Sequence, residues 1–373
     1  MAETQWTIGS TAELPKPKLD DLLARLQKKG YQTIGPRVRD GAVVYAPIRT
    51  AADLPQGLTS EEAAGSYRIV PSGNDRYFDI TPGAQSWKQF LFPPRTALYD
   101  IRRQTEWKKE GEPPPTPRIA MIGVRPCEIA AIKIQDLAFL REDFTDPIYR
   151  DRRRNAFLLA VNCLHPGGTC FCDSMGTGPK ASGDFDLALT ELDDLFLLEV
   201  GSPAGQEILQ DMELQPADAA AVKQAEEGFA AAKDRMGRRM DIGDLPELIL
   251  NNLEHPEWQS VAKRCMSCAS CTLVCPTCFC WDTQDHTSLD GKQTSRTRVW
   301  DSCFNPGYSY QAGGNTRPNV RSRYRQWLSH KLGTWKEQYG VLGCVGCGRC
   351  ITWCPVKIDI TEEIAALRQE VRS

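Results

Sequence analysis

The sequence predicts an α+β protein with two domains. A mixed α/β domain spans residues 1–241, and a mainly helical, ferredoxin-like domain spans 242–373, with an arginine-rich insert at 281–340. Three observations predict this. Continuous apolar strands alternate with helix-like runs through the first part of the chain. After Leu245 strand-like runs stop, and cysteine, tryptophan and arginine become frequent. One cysteine motif then occurs twice. The length of 373 residues also exceeds what one core usually organises.

The elements follow in order. Leu19 to Lys29 reads as a helix, with Leu22, Leu23 and Leu26 on one face. Ala42 to Ile48 is a strand. Tyr67–Val70 and Tyr77–Ile80 flank the turn-rich PSGNDR and are expected to pair as a hairpin. Glu110 to Pro117, EGEPPPTP, cannot continue a helix or a sheet and reads as a loop. RIAMIGV is a buried strand that ends at Arg125-Pro126-Cys127, and EIAAIKIQDLAFL after it is helical. Ala156 to Cys163 is a second buried strand. Beyond the glycine-rich Gly176–Gly183, DLALTELDDLFLLEV reads as a hairpin, and Pro216 to Met240 as an alanine-rich helix.

Composition narrows the function. Apolar residues make up 41% and charged residues 25%, as in ordinary soluble proteins. With 45 basic against 48 acidic residues the net charge is −3, too even for a nucleic-acid binder or a polybasic membrane anchor. No apolar run approaches the roughly 20 residues of a membrane span. The first residues show neither a basic n-region nor an apolar h-region, so a cytoplasmic location is expected. Fifteen cysteines is then the outlying number. In a reducing compartment clustered cysteines bind metal or do redox chemistry.

Eight of them form the repeat. Cys265, Cys268, Cys271 and Cys275 precede Pro276; Cys344, Cys347, Cys350 and Cys354 precede Pro355. Both copies read C-x2-C-x2-C-x3-C-P, the bacterial ferredoxin run. Two-residue steps let a tight loop offer three thiolates to one cube, and the displaced fourth reaches the other cube. One [4Fe–4S] cluster would therefore take Cys265, Cys268, Cys271 and Cys354. The other would take Cys344, Cys347, Cys350 and Cys275. Structural zinc also uses C-x2-C steps, but as two pairs usually 15–20 residues apart rather than two complete runs. Full thiolate ligation leaves no iron open to substrate, which argues for electron transport over catalysis.

Four more cysteines, Cys127, Cys163, Cys170 and Cys172, lie in the first domain. Cys127 and Cys163 each follow a strand, so adjacent parallel strands would gather all four at the sheet's edge as ligands of a third [4Fe–4S] cluster. The alternative is that one or two are buried core cysteines. Cys278, Cys280 and Cys303 are read as packing or hydrogen-bonding residues around the first cluster. In the insert, Arg296, Arg298, Arg317, Arg321, Arg323 and Arg325 interleave with Trp300, Tyr308, Tyr310, Tyr324 and Trp327. Such a mixture can bind nucleic acid, but arginines near anionic cubes fit better, as do Lys263, Arg264 and Arg349 beside ligand cysteines. His165, His255, His286 and His330 have no ligand spacing, and His165 is expected to be structural. No G-x-G-x-x-G opens a βαβ unit and no P-loop occurs. FAD and NAD(P) are therefore expected on a partner rather than on this chain.

RPCEIAAI, VNCLHPGGTCFCDSMGTGP, RCMSCASCTLVCPTCFCWD, RVWDSCFNPGYS with AGGNTR, and CVGCGRCITWCPVKIDI together resemble the beta subunit of cytoplasmic sulfhydrogenases, which are NAD(P)-linked nickel–iron hydrogenases. The same segments look like the iron–sulfur electron-transfer subunit of anaerobic sulfite reductase. The resemblance implies an iron–sulfur subunit within a hetero-oligomeric complex. It would relay single electrons between a subunit with FAD and [2Fe–2S] that reacts with NAD(P)H and a terminal catalyst, a hydrogenase or a sulfite reductase. It also strengthens the case for the third cluster. A rival of another class is a catalytic subunit that binds flavin or substrate and uses the clusters as its own wire; a third is an assembly protein with vestigial motifs.

Overall fold

The main sheet has eight strands. Its members are β1 (Thr11–Pro15), β2 (Gln32–Arg39), β3 (Ala42–Pro47), β8 (Ile119–Val124), β9 (Ala156–Val161), β10 (Leu187–Glu191), β11 (Leu195–Val200) and β12 (Gln215–Pro216), in the spatial order β12-β1-β11-β10-β9-β8-β2-β3. The remaining strands among the described residues are β4 (Leu58–Ala63), β5 (Ser66–Pro71), β6 (Arg95–Arg103), β7 (Trp107–Lys109), β13 (Trp281–Thr287), β14 (Gln293–Trp300), β15 (Tyr310–Gln311) and β16 (Gly314–Asn315). This computed structural model describes residues 6–103, 107–109 and 116–369; most of the EGEPPPTP segment lies outside them.

The sheet is mixed. Its centre, β2, β8, β9 and β10, is parallel, and its flanks are antiparallel. Every residue of β8 is buried, and β9 nearly so, as expected of strands covered on both faces. One face packs on helix Leu19–Lys28, where Leu19, Leu22, Leu23 and Leu26 are buried. The other packs on helix Pro126–Phe139 through Ile129, Ile132 and Phe139. The expected pairing of β10 with β11 is present, as is the alanine-rich helix, at Ala219–Asp234, capped by the Asp218 carboxylate accepting from the Ala221 N–H at 2.6 Å.

Two expectations fail. Tyr67–Val70 does not pair with Tyr77–Ile80; β5 pairs instead with β4, through a turn at Gly65 with φ of +71°. The backbone of 77–80 is committed to side chains. The Tyr77 and Phe78 N–H groups donate to the Glu191 carboxylate at 2.8 and 2.9 Å, and Arg125 donates to the Phe78 and Ile80 carbonyls. Four of the segment's backbone groups are thus taken by side chains rather than by a ladder.

Strands also do not end at Leu245. β13 and β14 form a hairpin inside the arginine-rich insert, and β14 continues onto β6, giving the sheet β13-β14-β6-β7. The sheet thus joins strands from either side of residue 242. Around the cysteines the C-terminal region has loops and short helices, with a core that includes Trp258, Phe304, Tyr324 and Trp327.

Candidate metal centres

The C-terminal ends of β8 and β9, two central parallel strands rather than strands at the sheet's edge, carry the first two cysteines. Cys127 sits in the first turn of helix Pro126–Phe139, and Cys163 follows β9 by two residues. Ligand sites commonly form beyond the carboxyl ends of parallel strands. The loop after Cys163 returns Cys170 and Cys172, and the four thiols line one cavity with Cys347, Arg125, Arg349, Glu62 and Tyr67. Burial pushes all four thiols above their ordinary range. Thiols held this way in an apolar pocket need a metal to leave them as thiolates.

The repeated motif folds twice into the same loop. Ser267 and Ala269 lie in the left-handed region, at φ of 54° and 65°; their counterparts Gly346 and Gly348 lie at 62° and 71°. In each copy the loop turns an N–H onto a cysteine: Ser267 donates to Cys265 Sγ and Gly346 to Cys344 Sγ, both at 3.4 Å. The Ile358 N–H adds a bond to Cys354 Sγ at 3.3 Å. Such N–H···S bonds stabilise thiolates.

These loops line two further cavities. Cys265, Cys268, Cys271 and Cys354 line one, with Cys350, Phe304, Tyr324 and Ile358 also in its wall. Cys275, Cys344, Cys347 and Cys350 line the other, with Lys331 and Phe171. The eight motif cysteines thus line these two cavities. Cys350 is common to the two C-terminal cavities, and Cys347 is common to the middle cavity and the N-terminal one. Among the described residues no three His, Cys, Asp or Glu side chains close on a single ion. A tetrahedral zinc at 2.3 Å from each sulfur would hold its thiolates only about 3.8 Å apart. Rings of cysteine around a space fit a multi-atom cluster better.

Charged groups complete the walls. Arg349 and Glu128, 3% and 1% exposed, form an ion pair at 2.8 Å, and Glu128 also accepts from the Tyr45 hydroxyl at 2.8 Å. The glutamate of the RPCE segment thus holds the arginine that precedes Cys350. Lys331 Nζ donates to Cys275 Sγ at 3.3 Å. Lys88 Nζ donates to the carbonyls of Cys275 and Cys278 at 2.9 and 3.0 Å and lies 4.0 Å from the Trp300 ring centre. Burial lowers Lys88 to about 8. Hydrogen bonding from Cys278, with Lys331 close by, holds the Cys275 thiol well below its ordinary range.

Most insert arginines are spent elsewhere. Arg296 pairs with Asp285, Arg298 with Asp146, and Arg321 and Arg325 with Glu254. Arg317 donates to Ser309, and Arg264 pairs with Glu363 at 2.7 Å. Of the six, Arg323 comes nearest the first loop, donating to Ser267 Oγ at 3.4 Å. Arg323 and Arg349 do act electrostatically on Cys265 and Cys347, as expected, and two lysines that carried no sequence signal add to them at Cys275. Cys303 lies beside Cys280, whereas Cys278 lies beside Cys275, a cysteine of the middle cavity rather than the first. His165 is structural, its Nδ1 2.7 Å from an Asp79 oxygen.

The comparisons agree with this geometry. Residues 264–358 match the model of a 4Fe-4S dicluster domain. Over 339 residues the chain is 31% identical to the sulfhydrogenase 2 subunit beta of Pyrococcus furiosus, covering 89% of this chain and 94% of that protein. The chain belongs to the sulfhydrogenase beta-subunit family. It is an iron–sulfur subunit of the electron-transfer kind. No solved structure matches it. Among the described residues no helix is long and apolar enough to cross a membrane.

Proposed function

We propose that this chain is a three-cluster wire, relaying single electrons between a subunit with FAD and [2Fe–2S] that reacts with NAD(P) and a nickel–iron hydrogenase subunit, in the cytoplasm. The proposed ligands are Cys265, Cys268, Cys271 and Cys354 for the first cluster and Cys344, Cys347, Cys350 and Cys275 for the second. Cys127, Cys163, Cys170 and Cys172 are proposed for the third. When bound, each cube takes up and gives back one electron. The chain's own residues hold the thiolates, exclude water and set the charge around them. The division into domains at 241/242 is retained as a description of sequence character.

The observation that carries this reading is the series of cavities with shared walls: first to second through Cys350, second to third through Cys347. Contiguous cavities suit hopping from centre to centre, and complete thiolate sets leave no iron for substrate. Membership of the sulfhydrogenase family favours a hydrogenase over a sulfite reductase as terminal partner.

The test is iron content with low-temperature EPR on the anaerobically purified chain. About twelve irons and three interacting signals are expected from three cubes. About eight irons with two signals would remove the third cluster and leave Cys127, Cys163, Cys170 and Cys172 without a ligand role. Stoichiometric flavin on the isolated chain would turn the assignment towards a catalytic subunit.

A further inference from the structure

The geometry points to Lys331 as the residue that makes the second, middle cluster the electron sink of the wire, the first of the three to be reduced. The inference rests on the ligand sets proposed above, but it concerns their order in potential.

Helix Val320–Ser329 runs into a wide turn at His330–Thr334 before helix Trp335–Tyr339 begins. A wide turn inside a helix re-aims the side chain it carries. Here it buries Lys331, 3% exposed, against the floor of the middle cavity. Its ammonium has three polar partners: Cys275 Sγ at 3.3 Å, Thr277 Oγ1 at 3.1 Å and the Gly343 carbonyl at 3.0 Å. None carries a carboxylate, so the positive charge is directed at the sulfur. Lys88 adds a second ammonium behind the same ligand, on the carbonyl of Cys275. Away from water such charges are screened little, and reducing a cube adds a negative charge they stabilise.

The other two rings lack this arrangement. At the first loop the hydrogen bonds to sulfur come from the backbone N–H groups of Ser267 and Ile358. Arg323 there gives its other bonds to the carbonyls of Arg317 and Pro318. Around the N-terminal cysteines, Arg349 is neutralised by Glu128, Arg125 serves backbone carbonyls, and the Glu62 carboxylate faces the cavity. Among the described residues, the middle ring alone of the three has an ammonium on a ligand sulfur.

An EPR-monitored redox titration of the whole chain tests the order and its cause. In wild type, the first signal to develop is expected to be the one that Cys275→Ser perturbs and Cys354→Ser does not. Lys331→Met is expected to shift the partition of an electron between second and first clusters at least tenfold towards the first, or about 59 mV for one electron. Lys331→Arg is expected to retain the wild-type order. Lys331→Gln, which keeps a hydrogen bond and drops the charge, replaces the methionine variant if that one loses iron. A first signal sensitive to Cys354→Ser, or unchanged potentials in an iron-replete neutral variant, overturns the inference. Loss of either C-terminal signal in wild type would count against the ligand sets instead.

Discussion

The two copies of the cysteine motif share a loop, yet they live in different surroundings. In the first copy Met266 is 67% exposed and Cys268 is exposed as well. In the second, Val345 is 2% exposed, the Gly346 carbonyl accepts from the Phe171 N–H at 2.8 Å, and the Val345 carbonyl accepts from Thr177 Oγ1 at 2.7 Å. The left-handed positions record the difference. The first copy carries Ser267 and Ala269, half-buried in a loop whose neighbours Met266 and Cys268 stay exposed. A Cβ on Gly346 would meet the Phe171 carbonyl carbon and oxygen at 2.6 Å, and one on Gly348 would meet the Thr169 carbonyl oxygen at 2.5 Å. One copy is thus a terminus and the other a junction, and glycine is required only where another loop lies across the motif.

The contrast can be broken most forcefully at the buried ion pair. Arg349→Leu strands Glu128 without its partner and is expected to cost about 3–5 kcal/mol of stability, measured by denaturation under anaerobic conditions. Arg264→Leu, the same change made just before the first copy, removes a partner that is 44% exposed from the buried Glu363 and should cost less, about 1–3 kcal/mol. Equal losses would contradict the assignment of junction and terminus.

Next in size is Gly348→Ala. Left-handed strain of about 1–2 kcal/mol adds to the overlap with Thr169, for a total of about 2–4 kcal/mol, with loss of the EPR signal of the proposed N-terminal cluster before the others. The reciprocal Ala269→Gly should leave the first cluster intact and change stability by about 1 kcal/mol or less. Brief exposure to air should remove about a third of the iron first, taken from the terminus with the exposed Cys268; iron analysis with EPR reads which signal goes. The smallest effect is expected of Ser267→Ala, which loses the 3.1 Å bond from its hydroxyl to the Phe304 carbonyl. About 1 kcal/mol is the expected cost, seen in the denaturation midpoint.

Much of this was legible in the amino acids. Spacing alone marks the eight motif cysteines as two sets of four, because a two-residue step and a displaced fourth thiol belong to the ferredoxin loop. The gathering of Cys127 and Cys163 follows from two apolar runs that could only be neighbouring buried strands. The hairpin β13–β14 was hidden because TQDHT and QTSRTRV show no apolar alternation; β13 is largely exposed, and β14 is held by pairing with β6. The misread 77–80 segment looked like a strand by composition, and only the distant Arg125 and Glu191 settle it. Lys331 and Lys88 gave no signal, since a lone lysine acquires meaning from the cavity it reaches. Glu128 did stand inside a recognised segment, next to the more conspicuous Cys127.

The pair formed by Glu128 and Arg349 joins residues 221 positions apart. Synthesis of the chain therefore lays down Cys127, Cys163, Cys170 and Cys172 long before the loop that walls their cavity exists. Until residues 344–350 emerge and settle across Phe171, that cavity stands open on the side Cys347 and Arg349 later occupy. On the three-cluster proposal, delivery of iron to the N-terminal site would have a window in time, and folding of the last motif would be the event that closes it.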